Sequence, residues 1–190
     1  AETYDGTEKE VTITGTLAEG LSVVYTNNKG TNANTYSATA QIVFDEANDV
    51  LSKNYTNIVV EGATEEAPDT LSAVLTINKG TLVAPIVDET NLVYSEGMKV
   101  SEVPFTAETK AGWKWEATDA EALVVAGSNT FTAVYEGTDA ANYTDASKTA
   151  EVTFTVGKAE TYTVTGITFT DKAETYDGTE KEVTITGTLA

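Results

Sequence analysis

Val152-Thr153-Phe154-Thr155-Val156 alternates apolar and hydroxyl side chains without a break. Period two sends one set inward and the other toward water, as on a half-buried strand. Thr and Val are β-branched and suit an extended backbone. The same alternation recurs in Val11-Thr12-Ile13-Thr14, Leu75-Thr76-Ile77 and Tyr162-Thr163-Val164-Thr165. Gly and Asn punctuate it at Asp5-Gly6, Asn27-Asn28-Lys29-Gly30, Glu96-Gly97 and Glu136-Gly137. Only Ala117 to Val125 (ATDAEALVV) reads as a short helix. The chain is therefore expected to be all-β, with short strands and frequent turns.

Working outward from that stretch, Leu75-Thr76-Ile77-Asn78-Lys79-Gly80 matches Phe154-Thr155-Val156-Gly157-Lys158-Ala159. Asn34-Thr35-Tyr36-Ser37-Ala38 matches Asn129-Thr130-Phe131-Thr132-Ala133, and Asn54-Tyr55-Thr56 matches Asn142-Tyr143-Thr144. Tyr4-Asp5-Gly6 matches Tyr94-Ser95-Glu96-Gly97 with one insertion. The order is the same in both halves, which predicts two related domains over 1–79 and 80–158. Two small tandem β-sandwiches are expected, Ig-like or alternatively β-grasp-like, in a repeat array. Val11, Ile13, Tyr36, Ile42, Leu75 and Ile77 are the expected first core. Trp113, Phe131, Tyr135, Phe154 and Val156 are the expected second.

Residues 159–190 read as a linker plus the opening strands of a next repeat. Ala1 to Ala18 and Ala173 to Ala190 are the same eighteen residues, AETYDGTEKEVTITGTLA. An identical copy at that distance marks a tandem array. Thr161 to Thr170 (TYTVTGITFT) is expected as a strand leading into the second copy. The domain beginning at Ala1 then lacks that strand, and a bare sheet edge readily accepts one from elsewhere. The candidate strand-donor residues are Thr161, Val164, Ile167, Phe169, Tyr176, Val183 and Ile185.

The chain has 190 residues, 41% of them apolar, and a net charge of −19. Nucleic-acid binding needs a basic footprint, so it is not expected. There is no Cys, His or Arg. That removes disulfides, thiolate chemistry, the usual general base near neutral pH and the planar fork for anions. A Cys-free chain fits a bacterial surface protein better than a disulfide-stapled secreted module. No apolar run approaches the ~20 residues of a membrane span, so no insertion is expected.

Tyr4-Asp5-Gly6-Thr7-Glu8-Lys9, the strand from Leu17 to Tyr25, Thr31 to Tyr36 and Asn54-Tyr55 together resemble the YDG and MBG (mucin-binding-glycoprotein) repeats of bacterial surface adhesins. The second half resembles a sister repeat, through Gly112-Trp113-Lys114-Trp115, Ala126 to Phe131 and Asn142-Tyr143. The resemblance implies small β modules of stalks and adhesins, at the cell surface, with no catalytic residues to carry over. Self-association head to tail and contact with host or mucin glycans are the partners it implies.

Trp113 and Trp115 flank Lys114 and would share one face of a strand. They are the candidate glycan contacts, against a reading as core aromatics. Asn54-Tyr55 and Asn142-Tyr143 read as equivalent structural corners rather than glycosylation sites. Acidic loops at Asp45-Glu46 with Asp49, Glu65-Glu66 with Asp69, and Asp119 with Glu121 suggest calcium only weakly, since the aspartate spacing of a calcium loop is missing. No enzyme activity and no cofactor are expected. A Lys–Asn isopeptide bond could stiffen a Cys-free stalk, but no spacing selects a pair.

Overall fold

The structure is a computed structural model describing residues 1–188. The last two residues of the proposed donor segment Thr161 to Ala190 lie outside the described residues. The fold is β-rich. In chain order its elements are β1 (Glu2–Thr3), β2 (Lys9–Glu10), β3 (Leu21–Thr26), β4 (Lys29–Gly30), β5 (Asn34–Phe44), β6 (Thr70–Asn78), β7 (Trp113–Trp115), α1 (Ala117–Ala120), β8 (Gly127–Tyr135), β9 (Thr149–Val156), β10 (Ile167–Thr168) and β11 (Thr186–Gly187).

The N-terminal half builds a four-stranded sheet in the order β1-β6-β5-β3. β5 runs antiparallel to both neighbours, with Ala40 opposite Leu71 and Tyr25. β1 lies parallel to β6, but only Glu2 and Thr3 pair, opposite Ile77 and Asn78. The C-terminal half builds a three-stranded sheet, β7-β8-β9, with Trp115 opposite Ala133 and Phe131 opposite Val152.

The two halves share one device. Thr3 sits opposite Asn78 and Val93 opposite Gly157, both in parallel. Tyr4 N–H donates to Asn78 O, and Tyr94 N–H donates to Gly157 O, each at 2.9 Å. The match of the closing strands is therefore structural. The match of the central strands is out by two residues: Tyr36 lies opposite Leu75, whereas Phe131 lies opposite Val152, the counterpart of Ala73.

Period two is obeyed where the partner strand is long. β9 alternates exposed and buried from Glu151 to Val156. Two expected strands do not form. Val11 to Thr14 crosses the face of the first sheet instead of joining an edge; Val11 N–H donates to Asn28 O, and Ile13 N–H donates to the Tyr25 hydroxyl at 3.0 Å. Of Thr161 to Thr170, only Ile167–Thr168 pairs, antiparallel to Thr186–Gly187. The alternation there is real, but no long edge among the described residues receives it.

Ile42, Leu75 and Ile77 are buried in the first half, together with Ala38 and Ala40, while Val11, Ile13 and Tyr36 are only half-buried. In the second half Trp113, Trp115, Tyr135, Phe154 and Val156 belong to one buried cluster, and Phe131 packs against it. Leu82 and Val87, from the segment leading into that half, belong to the same cluster.

Candidate functional site

The densest long-range polar contacts join the two halves. Asn142, in a 3₁₀ turn over Ala140–Asn142, is buried. Its Oδ1 accepts Ala33 N–H at 2.8 Å, and its Nδ2 donates to Asn32 Oδ1 at 3.0 Å. Its backbone O accepts Gly80 N–H at 2.9 Å, while Thr144 N–H donates to Gly80 O at 3.0 Å. One corner of the second half thus holds both the loop before β5 and the connection after β6. Gly80 is required by close approach: a Cβ there would lie 2.7 Å from Tyr4 O.

Beside it lies an aromatic and ionic cluster. The Tyr4 ring meets the Tyr143 ring edge-on at 5.3 Å, and Tyr143 meets Tyr135 at 5.8 Å. Edge-on pairing is the favoured geometry for such rings. Asp139 collects four groups: it accepts the hydroxyls of Tyr135 at 2.5 Å, Tyr4 at 3.3 Å and Tyr143 at 3.5 Å, and pairs with Lys110 Nζ at 3.1 Å. Lys110 also sits 5.5 Å from the centre of the Tyr143 ring.

The charges follow from these contacts. The Tyr135 hydroxyl and Lys110 hold the Asp139 carboxyl below its usual range. Burial, reinforced by Asp139, pushes the Tyr135 hydroxyl up to about 12. Burial, then Asp139, also raises Tyr4. Hydrogen bonding to Asp139 raises Lys110, which favours the charged amine of the ion pair. The arrangement can lock two segments together.

The residues singled out by sequence fall elsewhere. Trp113 and Trp115 share a face of β7, and that face is the core: both rings are buried, and Trp115 Nε1–H donates to Val103 O at 2.8 Å. As placed, neither ring is open to a sugar. The corners differ: Tyr143 is 9% exposed, whereas Tyr55 is 61% exposed. Their surroundings differ: nothing among the described residues covers Asn54-Tyr55 as Tyr4 and Asn32 cover Asn142-Tyr143. One carboxylate of each acidic loop is engaged in a hydrogen bond: Asp45 accepts Ala47 N–H, Asp69 accepts from Gln41, and Asp119 accepts Thr132 N–H.

Among the donor candidates, Ile167 is half-buried; Thr161, Val164, Phe169, Tyr176, Val183 and Ile185 are exposed. The sequence reading missed Asn32, Lys110 and Asp139. The usable signal was the four-residue spacing of Tyr135 and Asp139 around Gly137, onto which the Tyr135 ring packs.

Compared with known proteins, the chain matches no family model, no curated protein and no solved structure. Among the described residues, no helix is long and apolar enough to cross a membrane.

Proposed function

We propose that this chain is a structural tandem-repeat unit of an extracellular bacterial filament or adhesin stalk. In this reading it comprises two small β-sandwich modules, 1–79 and 80–158, of the kind found in YDG and MBG repeats. They are joined end to end by β-strand continuity or donation, and the chemistry is mechanical rather than catalytic. The observation that supports it best is the joint between the halves. A stalk must resist bending where modules meet, and this joint ties both the connection after β6 and the loop before β5 to one corner of the second half. Bending there would break the buried Asn142 bonds to Asn32 and Ala33, and unpaired buried groups are costly. The identical eighteen-residue segments supply the other requirement, repetition.

The test is a chain in which the 172-residue period is placed twice in tandem, measured by small-angle scattering and electron microscopy. A stiff rod whose length grows by roughly 70–80 Å per period, the length of two strand-long modules, is expected. Flexibly linked beads, or a compact particle, would overturn the reading.

A further inference from the structure

The first half is open where the second is filled. In the second half, Leu82, Pro85 and Val87 of the lead-in segment are buried, and Val87 lines one cleft with Val152 and Thr153 of β9. Glu89 Oε1 then accepts Thr155 N–H at 2.8 Å, closing the outer edge of that strand. In the first half the counterpart of β9 is β6, and nothing among the described residues covers it beyond β1. Alternation from the Tyr4–Asn78 bond turns the backbone groups of Ser72 and Val74 outward, toward no strand. Over its inner face lies a groove of about 290 Å³ above Ala38, Ala40 and Ala73, walled by Ile13 and Tyr25. No charged residue lines it, although 22% of the chain is charged.

The segment that would cover this groove can be located by counting back from the matched tyrosines. Seven, nine and twelve residues before Tyr94 stand the buried Val87, Pro85 and Leu82. At the same distances before Tyr176, the copy of Tyr4, stand Phe169, Ile167 and Val164. Val87 is 7% exposed and Phe169 is 69% exposed. Thr161 to Thr170 carries no charge, like the groove.

The other end shows the same relation. The surface that receives Asn142-Tyr143 is made by the Tyr after the parallel bridge, the loop before the central strand and the residues closing the sheet. In the second half those places belong to Tyr94, Ala126, Lys158 and Ala159, which line a cleft of about 580 Å³ together with the start of the tail, Thr161 to Thr163. The corner that corresponds to Asn142-Tyr143 is the exposed Asn54-Tyr55.

We propose that a second copy of this chain completes the first at both places. Its Val164, Ile167 and Phe169 fill the groove over Ala38, Ala40 and Ala73, and its cleft at Tyr94 takes the first copy's Asn54-Tyr55 corner. The joint between copies thereby repeats the joint within one. This inference rests on the stalk reading and names the partner and the surfaces it uses.

The chain has no cysteine, so cross-linking can be made site-specific. Val87 and Val152 share a cleft, so their counterparts Phe169 and Ala73 should come within disulfide range in the complex. Chains carrying A73C are mixed with chains carrying F169C and oxidised. A covalent pair containing one of each, in clear excess over either homodimer, is expected. Both positions are exposed, so folding should survive. By sedimentation, Tyr55→Ala and Phe169→Asp should each weaken self-association at least tenfold, while Leu123→Ala, exposed but lining neither the groove nor the cleft, should leave it unchanged. Homodimers at the statistical ratio, absence of the mixed pair, or association indifferent to Tyr55 and Phe169 would each overturn the proposal. A rod-like tandem chain without the mixed pair would remove this joint and leave the stalk reading standing; a mixed pair with a flexible tandem chain would do the reverse.

Discussion

The second half of this chain fills its core with large side chains; the first half lines its core with alanine. Opposite Ala133 in the second sheet stands Trp115, and Phe154 lies 5.6 Å from that indole. At the matching level of the first sheet, Ala40 has Tyr25 on one side and Leu71 on the other, and the space above Ala38 and Ala40 stays open. Both sheets use the same antiparallel pairing and the same parallel bridge. The difference is in what lies on top: the buried Leu82, Pro85 and Val87 over one, and among the described residues only the half-buried Val11 and Ile13 over the other. Strand pairing alone therefore does not finish a module here; an apolar segment laid across the sheet does. Burial of such side chains is the dominant favourable term, about 25 cal/mol per Å².

The sharpest way to break this comparison is to hollow the filled half. Phe154→Ala, at a site 1% exposed, should cost about 3–5 kcal/mol. Both tryptophans lie in that half, so denaturant unfolding followed by their fluorescence reports on it directly. Leu75→Ala in the first half should fall near the lower limit of the large-to-small range, about 2 kcal/mol, because its surroundings already border an open groove. Hydrogen exchange across β5 and β6 measures that second value. Equal costs in the two halves would mean that the groove is energetically closed.

Next comes the joint that couples the halves. Asn142→Ala leaves the half-buried Ala33 N–H without its partner and frees the exposed Asn32 amide to water, a cost of roughly 1 kcal/mol. Calorimetry should then resolve two transitions, one per half; a single unshifted transition would mean that the halves are not coupled through Asn142. A smaller effect follows from titration. Tyr135 is raised to about 12 in the folded state, above its unfolded value of about 10. Its contribution is full below pH 10 and is lost as the pH rises through 12. Asp139 is shifted the other way, so its contribution is present above about pH 4 and is lost as the pH falls. Tyr135→Phe should flatten the alkaline limb of a thermal-midpoint profile and leave an acid limb, which Asp139→Asn should flatten in turn.

What could be read from sequence was whatever is set within a few residues. Alternation located β6 and β9, and ATDAEALVV contains α1. Alternation also favoured Val11 to Thr14, where it misled, because the Tyr25 hydroxyl and Asn28 O take the amides that an edge strand would have used. The joint was not legible. Asn142 and Asn32 are 110 residues apart, and Asn54 looks the same as Asn142 in sequence until its surroundings are known. The alanines beneath the groove read as ordinary strand residues; only the sheet reveals that three of them share one face.

The finest comparison is between the two identical segments. In one, Asp5 Oδ1 accepts Thr7 N–H at 2.9 Å and Asp5 Oδ2 accepts Lys9 Nζ at 2.6 Å. In the other, Asp177 makes the same bonds to Thr179 and Lys181 at the same distances. Yet Lys9–Glu10 pairs with Lys29–Gly30, while Lys181–Glu182 lies in no strand. The turn is local, with partners two and four residues away, and forms without a sheet; the flanking strands do not. Both carboxyls should therefore titrate below the usual range in an NMR titration, each held down first by its lysine, with Asp177 at about 2 and Asp5 lower still. Asp177→Asn should leave the thermal midpoint unchanged, since an exposed pair of this kind contributes little. An ordinary value at Asp177 beside a depressed one at Asp5 would show that the turn itself depends on a neighbouring sheet, and that the two segments differ even in their local structure.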